Sequence, residues 1–248
     1  MVELSPQTSP ADKVILYSRN YSDCSARLRI ALNFKGISYE YRPADAETVS
    51  SASYKALNPV GTIPTLVIER GQATQDKYKS IVLIESLAAL EYLEEAYPDR
   101  TRLLPSSSGQ LGPAARAVVR TLVNVLVADT HPLTTARVCR QICSRFPGPG
   151  AEHAAVTANR DWDAYWIERG LQCYEDLIAD VAGKYSVNDE ITMADVCLVP
   201  EIWTAEKVGI DLGKYPTVKR VYMALMEVEA FKKAHWKGQP DTLDSDRA

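Results

Sequence analysis

The sequence predicts an α/β module built on a four-stranded mixed sheet, followed by an all-helical domain. Three observations carry this. Strand and helix signals alternate from residue 12 to 98, a stretch rich in Pro, Ser and Gly follows, and strand signals vanish beyond Pro113. At 248 residues the chain has room for two modest domains, each with a core of its own. The expected boundaries are 12–98 for the first domain, 99–112 for a linker and 113–238 for the second.

The elements follow in order. Val14-Ile15-Leu16-Tyr17 is an apolar strand signal ending near Ser18. Cys24, Leu28, Ala31, Leu32 and Lys35 recur at helical spacing, and Gly36 stands where a left-handed C-cap would end that helix. Tyr39–Arg42 reads as a second strand and Val49–Ala56 as a short helix. Thr65-Leu66-Val67-Ile68-Glu69 is the third strand; a polar loop from Arg70 to Lys79 leads to a fourth at Ser80–Ile84. A helix over Ser86–Tyr97 has Leu87, Leu90, Tyr92, Leu93 and Tyr97 as its expected buried side. A β-α-β unit, a hairpin and a closing helix build a thioredoxin-like fold. Beyond the linker, long helical stretches run over 113–145 and 151–182, separated by Pro147-Gly148-Pro149-Gly150, and shorter ones over 193–208 and 216–228. These predict a helical bundle.

Composition excludes several functions. With 46% hydrophobic and 24% charged residues, a net charge of −4 and no basic stripe, no nucleic-acid partner is expected. No apolar run approaches the ~20 residues a bilayer requires, so no membrane partner is expected. Met1 to Asp12 is polar and lacks the apolar core of a signal peptide. The cysteines are five, at 24, 139, 143, 173 and 197, an odd number without framework spacing. They imply reduced thiols and a cytoplasmic location. Cys139 and Cys143 lie one helical turn apart without a second Cys/His pair, so no metal site is expected.

Four segments carry candidate chemistry. Ser22-Asp23-Cys24-Ser25 opens the first helix, where unpaired N–H groups and the helix dipole favour an anion. A hydroxyl there can donate to a thiolate, and a thiol can become one; alternatively, Ser22 is an ordinary N-cap and Cys24 a small buried residue. In Asn58-Pro59-Val60-Gly61-Thr62-Ile63-Pro64-Thr65, a cis bond before Pro64 would leave the N–H and C=O of Ile63 free for an extended peptide-like ligand. A trans proline simply opening the strand is the other reading. Glu85-Ser86 opens the last helix of the first domain: the carboxylate suits an ammonium, and Ser86, as N-cap, suits a carboxylate. Thr192-Met193-Ala194-Asp195 is a capping box that nucleates a helix.

Together these features resemble the cytosolic glutathione transferases, and within them the zeta class, the maleylacetoacetate isomerases. That class carries Ser-Ser-Cys-Ser-x-Arg-(Val/Leu)-Arg-Ile-Ala-Leu, which Ser22 to Leu32 matches except at Asp23. The similarity runs nearly end to end. It takes in Ala56-Leu57-Asn58-Pro59, Ile63-Pro64-Thr65-Leu66, Glu91-Tyr92-Leu93-Glu94-Glu95, Leu103-Leu104-Pro105, His131-Pro132-Leu133, Arg137-Val138, Asp189 to Asp195, Cys197 to Pro200 and Gln239-Pro240-Asp241.

The resemblance implies the glutathione transferase fold, a homodimer and glutathione as cofactor. It also implies cis–trans isomerisation of maleylacetoacetate to fumarylacetoacetate, a step of phenylalanine and tyrosine breakdown, with transferase activity on haloacids as a further capacity. By similarity Ser22 donates to the sulfur, Cys24 is the second candidate catalytic residue, and Cys24 and Ser25 line the pocket. Asp23, Ser25, Arg27, Ile63, Pro64, Glu85, Ser86 and His131 complete the glutathione site. The substrate is a small dicarboxylate, for which Arg19, Arg137 and Lys207 are candidate cations. Asp23 replaces a usual serine, and solvent exposure is expected of it. Two other readings are an omega-like thiol–disulfide or dehydroascorbate reductase using Cys24, and a non-catalytic scaffold. The absence of Cys-x-x-Cys counts against the first, and the intact set of Ser22, Ile63-Pro64 and Glu85-Ser86 against the second.

Overall fold

The computed structural model describes residues 12–71, 80–108, 112–145 and 151–247. They form two compact units, one running to Arg100 and taking up the chain again from Lys233, the other spanning Thr101–Lys232.

The first unit contains β1 (Lys13–Ser18), α1 (Asp23–Phe34), β2 (Glu40–Pro43), α2 (Ala46–Ser50), α3 (Ala52–Leu57), β3 (Thr65–Glu69), β4 (Ser80–Leu83) and α4 (Ser86–Ala96). Its sheet has the order β2-β1-β3-β4. β1 is parallel to β2 and antiparallel to β3, and β3 is antiparallel to β4. The two central strands are the continuous apolar runs: Val14-Ile15-Leu16 and Leu66-Val67-Ile68 are all buried, as strands covered on both faces must be. β2 and β4, at the edges, are half-exposed.

α1 ends as its sequence predicts. Gly36 has φ +63°, Ile37 N–H donates to Leu32 O and Gly36 N–H to Asn33 O, which together make a Schellman cap. α1 packs against α4, and a fully buried Lys35 Nζ meets Glu94 Oε2 of α4 at 2.7 Å. The helix expected over 49–56 is two. Ser51 adopts an extended backbone and caps α3 by accepting Tyr54 N–H, while Asp45 caps α2 through Thr48 N–H. Most of the loop expected between Arg70 and Lys79, and the Pro147–Gly150 break, lie outside the described residues.

The second unit contains α5 (Gly112–Asn124), α6 (Ala136–Arg145), α7 (Ala151–Ile178), α8 (Met193–Val208), α9 (Pro216–Leu225) and α10 (Glu229–Ala234), the last running into the first unit. The helix expected over 113–145 is not continuous. α5 widens into a π-helical stretch, Val125–Thr130, and a 3-10 turn, His131–Leu133, before α6 begins. Pro132 supplies no N–H and its ring clashes with the preceding turn, so the helix breaks there. α8 is central, buried on nearly every side, and packs on α5, α7 and α9. The expected capping box is present. Asp195, wholly buried, accepts Thr192 N–H at 2.8 Å through one oxygen and Ser186 N–H at 2.9 Å through the other. No helix of the described residues is long and apolar enough to cross a membrane.

Candidate active site

Strand register gathers the candidate segments of the first unit. Tyr17, near the end of β1, pairs with Thr65 at the start of β3, and Leu66 pairs with Leu83 at the end of β4. The segments 19–22, 62–64 and 84–86 therefore leave the sheet at the same end.

Ser22 is the N-cap of α1, with an extended backbone and Oγ accepting Ser25 N–H at 3.2 Å. Capping uses an oxygen lone pair, so the half-buried hydroxyl keeps its proton for another acceptor. The N-cap reading holds, and it leaves the hydroxyl proton available for the donor role. Cys24, in the first turn, is half-buried, and its Sγ lies 3.6 Å from Arg27 Nη1.

Three expectations need correction here. Ser25 is completely buried, so its hydroxyl does not line an open pocket, and its N–H serves the cap. Arg27, 1% exposed, is not presented to a ligand either; its Nη1 reaches Cys24 Sγ and, at 3.4 Å, Ser86 Oγ, tying two site segments together. Asp23 is half-buried where solvent exposure was expected. Its charge acts favourably on the buried Arg29 guanidinium, which gives that position a local use.

The Ile63–Pro64 bond is cis. Ile63 is half-buried and lies beyond the ladder, which begins at Thr65. Its loop is held from behind by two residues that sequence reasoning did not single out. Buried Asn58 donates to Thr62 O at 2.8 Å and Thr65 Oγ1 at 2.9 Å, and Tyr54 donates its O–H to Thr62 O at 2.7 Å. The signal was an asparagine closing a short helix just before a proline.

Glu85, not Ser86, occupies the N-cap position of α4, and it is exposed with no side-chain capping bond. Ser86 is the first helical residue, 5% exposed, and accepts from Arg27. Helical backbone at Ser86 turns its side chain away from the capping position, so the expected Ser86 cap is replaced by this contact. The pairing of an exposed carboxylate with the free N–H groups of a helix N-terminus survives the correction.

Arg29 is another residue that sequence reasoning did not single out. Fully buried, it donates through Nη1 to Ser18 Oγ at 3.1 Å and Arg19 O at 3.0 Å, through Nη2 to Asn20 O at 3.0 Å and through Nε to Ala234 O at 3.1 Å. An arginine between Leu28 and Ile30, on a helix with no solvated face there, was the available signal. Arg19 itself is exposed.

In the second unit, His131 opens the 3-10 turn with Nδ1 3.9 Å from Oε2 of Glu201, a wholly buried carboxylate on α8. Glu201 was not anticipated; it follows Pro200 in an otherwise apolar run. Arg137 is exposed on α6, where Arg137, Val138, Gln141, Ile142 and Arg145 border a groove of about 550 Å³. Lys207 is exposed near the end of α8.

The sequence model for the N-terminal domain of glutathione S-transferases matches residues 16–101. The maleylacetoacetate isomerase of Aspergillus fumigatus is 44% identical over 98% of both chains. The chain belongs to the zeta class of glutathione transferases. A bacterial zeta-class maleyl pyruvate isomerase in its holo form superposes with a TM-score of 0.78 at 35% identity, over 92% of this chain and all of the other. The maleylacetoacetate isomerase of Anaeromyxobacter dehalogenans, with dicarboxyethyl glutathione and citrate in its active site, gives 0.78 at 32% identity, covering 96% and 97%. For this zeta-class chain the donor set at the sheet end fits glutathione. Glutathione offers a thiol, a free ammonium and a carboxylate; at this sheet end stand the Ser22 hydroxyl, the Ile63 backbone beyond the ladder and the exposed Glu85 carboxylate beside a helix N-terminus.

Proposed function

We propose that this protein is a glutathione-dependent cis–trans isomerase that converts maleylacetoacetate to fumarylacetoacetate in phenylalanine and tyrosine catabolism. One observation carries the reading: Ser22 caps α1 while keeping its hydroxyl proton, on the same sheet end as Ile63 and Glu85.

Bound glutathione supplies a thiol whose reversible addition to the conjugated cis double bond frees rotation there. The residues of this chain make that thiol reactive and hold its carrier. Ser22 donates its hydroxyl hydrogen to the sulfur, and the unpaired N–H groups of the α1 N-terminus favour the anionic form. Ile63 offers its backbone N–H and C=O to the peptide, as an added strand would receive them. Glu85 accepts the ammonium, and the first N–H groups of α4, beginning at Ser86, receive the neighbouring carboxylate. Arg27 keeps the Cys24 and Ser86 segments in register from behind. For the dicarboxylate substrate, Arg19, Arg137 and Lys207 supply exposed cations, and Arg137 and Arg145 flank an apolar strip of Val138 and Ile142. His131, beside buried Glu201, is a contact for glutathione or substrate. A homodimer and a cytoplasmic location belong to the same proposal, on the strength of the family and the odd cysteine count.

Calorimetric titration tests the binding half. Wild type should bind glutathione, and Glu85→Ala should weaken binding about tenfold with an unchanged melting temperature, since an exposed carboxylate stabilises the apoprotein little. Failure of wild type to bind at millimolar glutathione would remove the assignment.

A second reading is supported by one contact. Cys24 stands in the first turn of α1 with Arg27 Nη1 at 3.6 Å from its sulfur, surroundings that favour a thiolate. That arrangement would suit an omega-like reductase. Cys24→Ala separates the two: the isomerase account expects substantial isomerisation to persist, and complete loss, or a mixed disulfide of Cys24 with glutathione in each turnover, favours the reductase.

A further inference from the structure

The geometry points to Asp241 and Arg29 as positioning residues for Ser22, with the C-terminal segment acting as a clamp on the loop between β1 and α1. The inference rests on the reading of Ser22 as the donor to the glutathione sulfur, and extends it to what fixes that donor in place.

The loop 19–22 has few means of holding itself. Ser22 N–H donates to Arg19 O at 3.1 Å. That same carbonyl accepts Arg29 Nη1 at 3.0 Å, so the backbone of Ser22 is set by an oxygen that Arg29 fixes. Arg29 also takes up Ser18 Oγ and Asn20 O, the groups on either side. From the other direction the C-terminal segment takes Asn20. Its N–H donates to Asp241 Oδ2 at 2.9 Å, and its Nδ2 to Thr242 Oγ1 at 3.2 Å. Asp241 Oδ1 accepts Tyr41 O–H at 2.6 Å, anchoring the carboxylate to β2.

The segment is itself stitched into shape. Gln239, 4% exposed, donates to Lys233 O and His235 O, and Arg247 Nη2 donates to Gln239 O and Thr242 O. Arg29 reaches into it through Ala234 O. Next to Asn20, the Tyr21 ring lies 4.7 Å from that of Trp236, and its O–H donates to Asp246 at 2.6 Å. That bond to Asp246 pushes the Tyr21 phenol up to about 12. Burial pulls the Arg29 guanidinium below its usual value, and the Asp241 carboxylate is among the charges acting the other way. Asp241 therefore holds the loop directly and supports the cation that holds it from the opposite side.

A hydroxyl that must meet a sulfur at hydrogen-bond distance is sensitive to sub-ångström placement; a misplacement of about 1 Å can cost ~10²-fold in rate. Loss of the Asp241 contacts frees Asn20 N–H and loosens the carbonyl that orients Ser22, without removing any group proposed to touch glutathione.

The experiment compares wild type, Asp241→Ala and Asp241→Asn, using hydrogen exchange of the unliganded proteins and the 240-nm thiolate absorbance of bound glutathione against pH. For Asp241→Ala, amide exchange over residues 20–25 should rise about tenfold, as expected of a locally opened segment. The pKa of the bound thiol should rise by about one unit and kcat should fall about tenfold, with KM for glutathione within about twofold. Asp241→Asn retains one oxygen acceptor and should recover part of each effect, and it carries the test if the alanine variant does not fold. Lowered melting temperature with wild-type exchange at residues 20–25 and a wild-type thiol pKa in both variants would overturn the inference. If wild type gives no thiolate signal, the glutathione reading falls, while exchange over residues 20–25 still decides the clamp.

Discussion

Ser22 is asked to do two things with one oxygen. Its lone pair completes the α1 N-terminus through Ser25 N–H, and in the proposed mechanism its proton serves the sulfur. Ser22→Ala should therefore lower turnover by ~10²-fold, the usual cost of losing one donor aimed at developing negative charge. Glutathione affinity should change much less, because the proposal has the peptide held at Ile63 and Glu85. Turnover within about twofold of wild type would take Ser22 out of the mechanism. Legible in the sequence were the helix start at Ser22, the cis bond before Pro64 as one of two readings, and the acid before α4. The residues that work from behind were not. Ser86 read as a cap because serine commonly caps, yet capping is decided by which residue keeps an extended backbone, and here that residue is Glu85. Arg27 and Arg29 look alike in the sequence as basic residues flanking an apolar stripe. Only packing shows that both are buried and that one serves Cys24 and Ser86, the other three loop groups and the C-terminal segment.

At the scale of elements, α1 and α4 carry the N-termini that the site uses, so whatever fixes their packing fixes the site. Lys35 and Glu94 do this with a 2.7 Å ion pair, the lysine wholly buried and the glutamate 7% exposed. Glu94→Gln should destabilise the protein by about 3 kcal/mol, since it removes the carboxylate charge 2.7 Å from a buried ammonium. The double variant Lys35→Met/Glu94→Leu should recover most of that loss. Equilibrium urea unfolding checks it, and a cost for Glu94→Gln below about 1 kcal/mol would mean that the pair stabilises little. The strands were readable because β1 and β3 are continuous apolar runs, and β3 begins and ends where the sequence places it. α8 and its cap were equally plain. The passage from α5 to α6 was misread as one helix because apolar spacing continues through it; the proline at 132 was the signal to stop, and the π-helical widening before it leaves no trace in the pattern. The pairing of Lys35 with Glu94 was not legible, since no local pattern pairs residues so far apart in the chain.

Over the whole molecule, the α/β unit holds the proposed glutathione site and the helical unit supplies cationic candidates for a dicarboxylate. The division into a sheet-containing and a helical part was legible from the disappearance of strand signals. The return of the chain from Lys233 to the first unit was not, because the tail carries no strong periodicity and its contacts are single polar bonds to distant residues. The chemistry proposed for this zeta-class chain requires glutathione in every turnover and returns it unchanged. The most direct measurement follows the conversion of maleylacetoacetate, or its analogue maleylpyruvate, by the purified protein with and without glutathione, while thiol concentration is monitored alongside. The account predicts trans product only when glutathione is present, many turnovers per glutathione, and no loss of free thiol. Isomerisation at the same rate without glutathione, or consumption of thiol with no trans product, would contradict it.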